Sequence, residues 1–125
     1  MASPTQDRRY GLVGSLAFKA PCTVASTGSN VTLSGEQTIN GVSVVTGNRV
    51  LVKDQTDATQ NGIYDANTSS WTRSYDFNGN FDFAKGTMLY VTGGSSAGKG
   101  LWTVSSTGTD VGTDSISFAS VLLTT

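Results

Sequence analysis

The chain contains no histidine. That removes the commonest general base and the commonest metal ligand together, so neither a Ser-His-Asp nor a Cys-His site can be built. The lone cysteine, Cys22, follows Pro21 in an apolar segment and has no partner for an intrachain disulfide. It reads as a small apolar side chain rather than a reactive thiol. The string from Gly93 to Gly100, GGSSAGKG, comes close to a phosphate-binding loop. It departs where magnesium would be held, because Gly100 follows Lys99 in place of Ser or Thr. Leu101-Trp102-Thr103-Val104 then reads as a strand, although a helix N-terminus should face the phosphates. The expected structure is a hairpin tip.

Oxygen-bearing side chains alternate over Asp76-Phe77-Asn78-Gly79-Asn80-Phe81-Asp82, like the first half of a calcium loop. Phe81 stands at the sixth position, where glycine is needed, and Thr87 at the twelfth, where a bidentate Glu belongs. Asx-rich turns arise without metal, because these side chains bond their own backbone. Asp54, Asp57 and Asp65 lie on or beside a loop after a strand, and a solvated loop accounts for them. A glycosidase needs two carboxylates at a defined separation beside a sugar cleft, and nothing in the spacing fixes such a pair. The reading is therefore no catalytic residue, no cofactor and no metal. Exposed Tyr64, Trp71 or Tyr75 would offer rings for a sugar, although core packing is the expectation for Trp71. Trp71, Arg73 and Tyr75 are the candidates for surface recognition.

These residues must be positioned by β-structure. The chain is of single-domain length, rich in Gly, with Ser and Thr making up roughly a quarter of it. Charged residues are 14% and the net charge is -1, which gives neither the basic face of a nucleic-acid binder nor a polybasic membrane patch. No apolar run reaches the roughly 18 residues of a membrane span. GLVGSLAF is short for a signal-peptide core and lacks a cleavage site. Without a secreted context the glycosylation patterns at Asn30 and Asn67 carry little weight.

Short apolar runs alternate with Asn-Gly or Gly-Asn corners at Asn40-Gly41, Gly47-Asn48, Asn61-Gly62 and Asn78-Gly79. Asn-Gly between Ile39 and Val42 is the strongest hairpin signal, since a type I′ turn needs positive φ at both corners. Strands are predicted over Lys19 to Ala25, Asn30 to Leu33, Val42 to Val45, Arg49 to Lys53, Ile63 to Asp65, Ser70 to Arg73, Thr87 to Thr92, Gly100 to Val104 and Ser115 to Leu122. Val50 and Val52 share one face and Leu51 the other. One helical turn is predicted at Phe81 to Ala84, capped by Asn80. The expected core is Val31, Leu33, Ile39, Val42, Val44, Val50, Val52, Ile63, Tyr64, Trp71, Met88, Tyr90, Leu101, Trp102, Val104, Ile116 and Phe118. The fold class is all-β: an antiparallel β-sandwich, or small barrel, of about eight to ten short strands. Residues 1–16 form a flexible N-terminal arm, polar and aperiodic to about Gly14, and residues 17–125 form the domain.

The stretch VTLSGEQTINGVSVVTGNRVLVKDQTDATQNGIYDA, with SSWTRSYD after it, resembles a module of tail fibres and other virion proteins of bacterial viruses. AFKAPCTVAST looks like its opening, where an apolar residue is more usual than Cys22, and GTMLYVTGG, GKGLWTVSS and DSISFASV match more loosely. The likeness covers roughly Ala17 to Val121, and VLVKDQT with NGIY is its most specific part. The resemblance implies a non-catalytic all-β virion module, commonly a homotrimer, whose motif positions are structural. Arg49 and Lys53 flank the motif strand and are expected to make surface contacts.

The chain stops at Thr125, directly after the last strand. The expectation is therefore a trimeric capsid decoration, or cement, protein whose partners are itself and the major capsid protein. The arm residues Arg8, Arg9, Tyr10 and Leu12 would make the virion contact. The alternative is a tail-fibre or tailspike module bound to a tail component or to a host-surface glycan. Neither nucleic acid nor membrane insertion is expected, and the expected location is the virion.

Overall fold

The computed structural model describes residues 18–121. The arm expected over residues 1–16, with Arg8, Arg9, Tyr10 and Leu12, lies outside the described residues. What is described is all-β. Nine strands are joined by turns and two 3-10 turns: β1 (Val24–Ala25), β2 (Gln37–Ile39), β3 (Val42–Val44), β4 (Arg49–Val52), β5 (Gly62–Asp65), β6 (Thr72–Arg73), β7 (Met88–Val91), β8 (Gly100–Val104) and β9 (Phe118–Ser120). They form three open sheets, in the orders β1-β4-β5-β6, β2-β3 and β7-β8-β9. The fold is sandwich-like, not a closed barrel.

The four-stranded sheet is the middle layer. Along β4, Leu51 faces one way and Val50 and Val52 the other, and all three are fully buried. On β5, Ile63 is opposite Leu51 and Tyr64 opposite Val50, so each face continues across the pair. Leu51 and Ile63 join Ala25, Leu89, Val91 and Val104 in a core shared with the β7-β8-β9 sheet. Val50, Val52 and Tyr64 join Ile39, Val44 and Trp71 in a second core beneath the β2-β3 hairpin. Such side chains each stabilise the fold by about 1.5–3 kcal/mol relative to exposure.

β1 and β4 run parallel, with Val24 opposite Val50, the exception in otherwise antiparallel strand pairing. Parallel neighbours need a crossover, and here residues 26–48 supply it. The crossover is itself the outer layer, because it carries the β2-β3 hairpin. That hairpin turns at Asn40 (φ 47°) and Gly41 (φ 81°). The turn sets Ile39 opposite Val42, as the Asn-Gly corner predicts.

The segment before β1 ties the other two sheets together. Phe18 and Cys22 bridge to Met88 and Val91 of β7, and two residues later Val24 pairs with β4. Isolated bridges therefore replace most of the strand predicted over Lys19 to Ala25.

Several expectations are corrected. Residues 30–33 form no strand; the Val31 N–H donates to the Gln55 side chain at 2.8 Å. No helical turn occupies Phe81 to Ala84, because Phe81 has φ 65°, outside the right-handed helical range. The 3-10 turns lie instead at Ala58–Gln60 and Tyr75–Phe77. Asn61-Gly62 is not a hairpin corner. Asn61 is buried, accepting from the Gln55 N–H at 3.0 Å and donating to the Ile116 carbonyl at 2.9 Å.

On β7 the inward parity is opposite to the expectation. Leu89 and Val91 are buried, while Met88 is half-buried and Tyr90 exposed. Phe77 and Phe83, missing from the expected core, are fully buried and stacked at 5.3 Å between centroids. The registers place Met88, Thr103 and Ala119 in one row on the outer face of this sheet, with Phe18 bridged beside Met88. Tyr90 and Leu101 lie in the next row, where the Val121 N–H bonds the Leu101 carbonyl.

Candidate functional site

β6 leads into the feature that presents the most exposed aromatic ring among the described residues. Ser74 is buried; its N–H donates to the Ile63 carbonyl at 2.9 Å and its hydroxyl to Asp65 at 2.6 Å. Asp76 receives both terminal nitrogens of Arg49, each at 2.8 Å, in a bidentate pair. The Arg49 Nε donates to the Ala20 carbonyl at 3.0 Å. Phe77 enters the core. Tyr75 stands between these anchors with 90% of its surface exposed. The backbone that carries the ring is fastened on both sides, so little entropy remains to be lost there on binding.

The other two recognition candidates do not join it. Trp71 is 6% exposed, its indole N–H donates to the Gly35 carbonyl at 2.9 Å, and its ring lies 6.5 Å from Tyr64. A sugar has no open ring face there, and the same burial removes Tyr64. Arg73 turns inward, donating to the carbonyls of Asn61 at 3.0 Å and Thr59 at 2.8 Å. Its guanidinium lies 5.0 Å from the Tyr64 ring centroid, a cation-π contact. Arg73 thus holds the loop between β4 and β5. Burial raises the Tyr64 phenol above its ordinary range, with the Arg73 charge opposing the shift.

Arg49 and Lys53, expected at the surface, are also held inward. Arg49 makes the pair with Asp76. Lys53 bonds Asp54 at 2.8 Å with its ammonium 4.3 Å from the Trp102 ring centroid. Lys19, between the two sheets, is held below its ordinary range by burial, against the raising influence of Asp76 and Asp82.

The carboxylates singled out by spacing have local duties. Asp82 accepts from the N–H groups of Asn78 at 2.8 Å and Gly79 at 2.9 Å. Asp54 accepts from the Gly28 N–H at 2.9 Å. Asp57 caps a 3-10 turn through the Thr59 hydroxyl and N–H, bonds that hold it below the ordinary carboxylate range. Asp114, not singled out by sequence, accepts from the N–H groups of Asp110 and Thr109, which lower it likewise. Among the described residues no three of His, Cys, Asp or Glu meet as metal ligands would.

The glycines of the phosphate-loop-like string answer to a different need. They lie in the β7-β8 connection, against the tip of the β2-β3 hairpin. The Asn40 Oδ1 accepts from the Ser95 hydroxyl at 2.7 Å. A Cβ on Gly94 or Gly98 would come within 2.6 Å or 2.9 Å of the Asn40 Nδ2, and one on Gly93 within 2.6 Å of the Thr23 carbonyl. Close approach of the Thr23 backbone accounts for Gly93 and of the Asn40 side chain for Gly94 and Gly98, while Gly100 has φ 127°. The Asn40 Nδ2 is buried there without a hydrogen-bond partner.

Cys22 is 1% exposed, and burial pushes its thiol up to about 12, so it presents no thiolate. Beyond Tyr75, the large exposed apolar side chains among the described residues are Phe18, Val45, Phe81 and Tyr90. The sequence placed Phe81 at the start of a helical turn, because only the backbone reveals its left-handed φ. No described helix is long and apolar enough to cross a membrane. No protein family, curated protein or solved structure matches the chain.

Proposed function

We propose that this chain is a non-enzymatic structural protein of a bacteriophage virion, acting as an oligomeric binding module on the particle surface. The observation that carries the reading is how its polar side chains are used. The groups that sequence spacing offered as reactive or ligating fasten turns and loops: Asp76 to Arg49, Asp82 to Asn78 and Gly79, and Asp57 to Thr59. What faces outward among the described residues includes aromatic and apolar side chains, among them Tyr75, Phe81 and Tyr90, suited to many modest contacts that add through multivalency. The resemblance of the Val31 to Arg73 stretch to phage appendage modules supports the setting.

Capsid decoration is one location. A trimer cross-bridging neighbouring capsid subunits would reinforce the head, each buried apolar Å² contributing roughly 25 cal/mol. A tail-appendage reading is favoured by Tyr75, whose exposed ring on a fastened turn suits stacking on a host-surface glycan.

Gold labelling of intact parent virions with an antibody to this protein tests the proposal. Label over the head supports decoration, and label confined to the tail supports the appendage reading. Unlabelled virions overturn both. With tail label, Tyr75→Ala is expected to reduce adsorption to cells while leaving the melting temperature unchanged.

A further inference from the structure

We propose that Asn78-Gly79 is a self-modification site, at which the chain slowly converts its own asparagine to aspartate and isoaspartate with Asp82 as the base. The chain holds three Asn-Gly pairs, at Asn40-Gly41, Asn61-Gly62 and Asn78-Gly79. In such a pair the glycine nitrogen can attack the asparagine amide carbon, because no side chain on the following residue shields it. The fold treats the three amides differently. Asn61 is 3% exposed and bonded at both ends, to the Gln55 N–H and the Ile116 carbonyl. The Asn40 amide lies against Gly94 and Gly98, with its oxygen held by the Ser95 hydroxyl. Asn78 is exposed, and its side chain makes no hydrogen bond among the described residues.

The glycines differ as well. Gly41 has φ 81° and Gly62 φ 149°, and a Cβ on Gly62 would stand 2.7 Å from the Arg73 Nη1. The backbone accounts for both. Gly79 lies outside the left-handed region, and a Cβ there would find the Asp82 Oδ2 at 3.8 Å as its nearest non-adjacent atom. Neither conformation nor space requires glycine at 79, and its effect there is to leave the nitrogen unshielded. That nitrogen must lose its proton as it attacks. The Asp82 Oδ2 accepts the Gly79 N–H at 2.9 Å, within the reach that a general base needs.

The step balances within the chain and one water. A bond forms between the Gly79 nitrogen and the Asn78 Cγ, and the bond from that carbon to the Asn78 Nδ2 breaks. Asp82 takes the Gly79 proton and passes it to the departing nitrogen, which leaves as ammonia. Water then opens the cyclic imide at either carbonyl, giving aspartate or isoaspartate. Nothing is oxidised or reduced. A neutral side chain becomes a carboxylate, so the net charge goes from -1 to -2. The isoaspartate product also adds a methylene between two N–H groups that share the Asp82 Oδ2, which loosens the end of the 3-10 turn that carries Tyr75.

The test incubates the full chain in mildly alkaline buffer, digests it in acid and reads each asparagine by peptide mass spectrometry, with isoaspartate separated chromatographically. Asn78 is expected to give both products, about tenfold or more faster than Asn40 and Asn61, which first need local opening. In urea the three rates are expected to converge. Asp82→Asn keeps an oxygen for the two N–H groups but is no base, and Gly79→Ala fits the space. Both are expected to slow Asn78 severalfold with an unchanged circular dichroism spectrum. Conversion in Asp82→Asn as fast as in wild type, or faster, makes that carboxylate a fastening of the turn and overturns its role as base. Aspartate without isoaspartate overturns attack by the Gly79 nitrogen. Asn40 or Asn61 converting as fast as Asn78 in the folded chain overturns the site, as does a preference for Asn78 that persists unchanged in urea; neither result depends on a variant folding. The virion reading does not enter this test, so the two fail separately.

Discussion

The middle sheet and the β7-β8-β9 sheet are built from similar strands and meet different fates. In the first, Val50, Leu51 and Val52 are all fully buried, because the crossover hairpin covers one face and the second sheet the other. In the second, Leu89 and Val91 are fully buried while Tyr90 between them is not. A strand's apolar content therefore records how many faces it needs covered, and the rest of the fold decides how many are covered within one chain. Among the described residues, the outer face of the other sheet joins neither core.

Truncating the middle layer gives the largest expected effect. Leu51→Ala leaves a cavity between two sheets and is expected to cost about 2–5 kcal/mol in urea unfolding. A loss under about 1 kcal/mol would mean that the two layers do not depend on this strand in common.

Next is the fastening of the Tyr75 turn. Asp76→Ala leaves Arg49 without its bidentate partner, at an expected cost of about 1–3 kcal/mol, tempered by the partial exposure of the pair. Unfolding of the variant by guanidinium should show a lower midpoint with an unchanged slope; an unchanged midpoint would make the pair incidental.

Cys22, buried in the core between the two sheets, gives the third effect. Its folded-state pKa is raised, so the folded chain retains a proton that the unfolded chain releases above its ordinary 9.0. Stability is then unaffected below that pH and falls as pH rises from 9.0 towards about 12, by at most about 1.4 kcal/mol per pH unit. Comparing the pH dependence of the urea midpoint in wild type and Cys22→Ala isolates this slope, because the raised Tyr64 phenol is common to both. Equal slopes would mean that Cys22 is not sealed in the folded state.

The smallest effect is the sharpest test of the comparison. At dilutions where single chains dominate, Tyr90→Ser is expected to change thermal stability by less than about 0.5 kcal/mol, as surface substitutions do. A loss of core size would mean that this face is covered within one chain after all.

Local signals were legible wherever a single residue pair decides the backbone. Asn40-Gly41 forms its turn because both corners need positive φ, and the limits of β8 follow Gly100 and Val104. Asn61-Gly62 carries the same letters and behaves differently. The Asn61 side chain is drawn into bonds with Gln55 across the β4-β5 loop and with the remote Ile116. Phe77 and Phe83 were hidden in an Asx-rich stretch with no strand period, although both are core. On β7 the pattern was legible but its direction was not, since a run that is apolar at every position cannot say which parity faces inward. Of the recognition candidates, Tyr75 is the one whose exposure depends on neighbours that the sequence names, Ser74 and Asp76. Trp71 and Arg73 were turned inward by Gly35, Asn61 and Thr59, contacts from other elements.

By itself, the sequence determined that this protein is all-β, where its tightest hairpin turns, and that histidine-based chemistry is closed to it. Those properties follow from residue types and near-neighbour sterics. Only the tertiary structure decided that the middle sheet is covered twice, that Gly94 and Gly98 lie against the hairpin tip at Asn40, and that Tyr75 is presented while Trp71 is sealed. Those outcomes depend on which layer packs against which face. Side-chain alternation along a strand records that a face needs covering without naming the element that covers it.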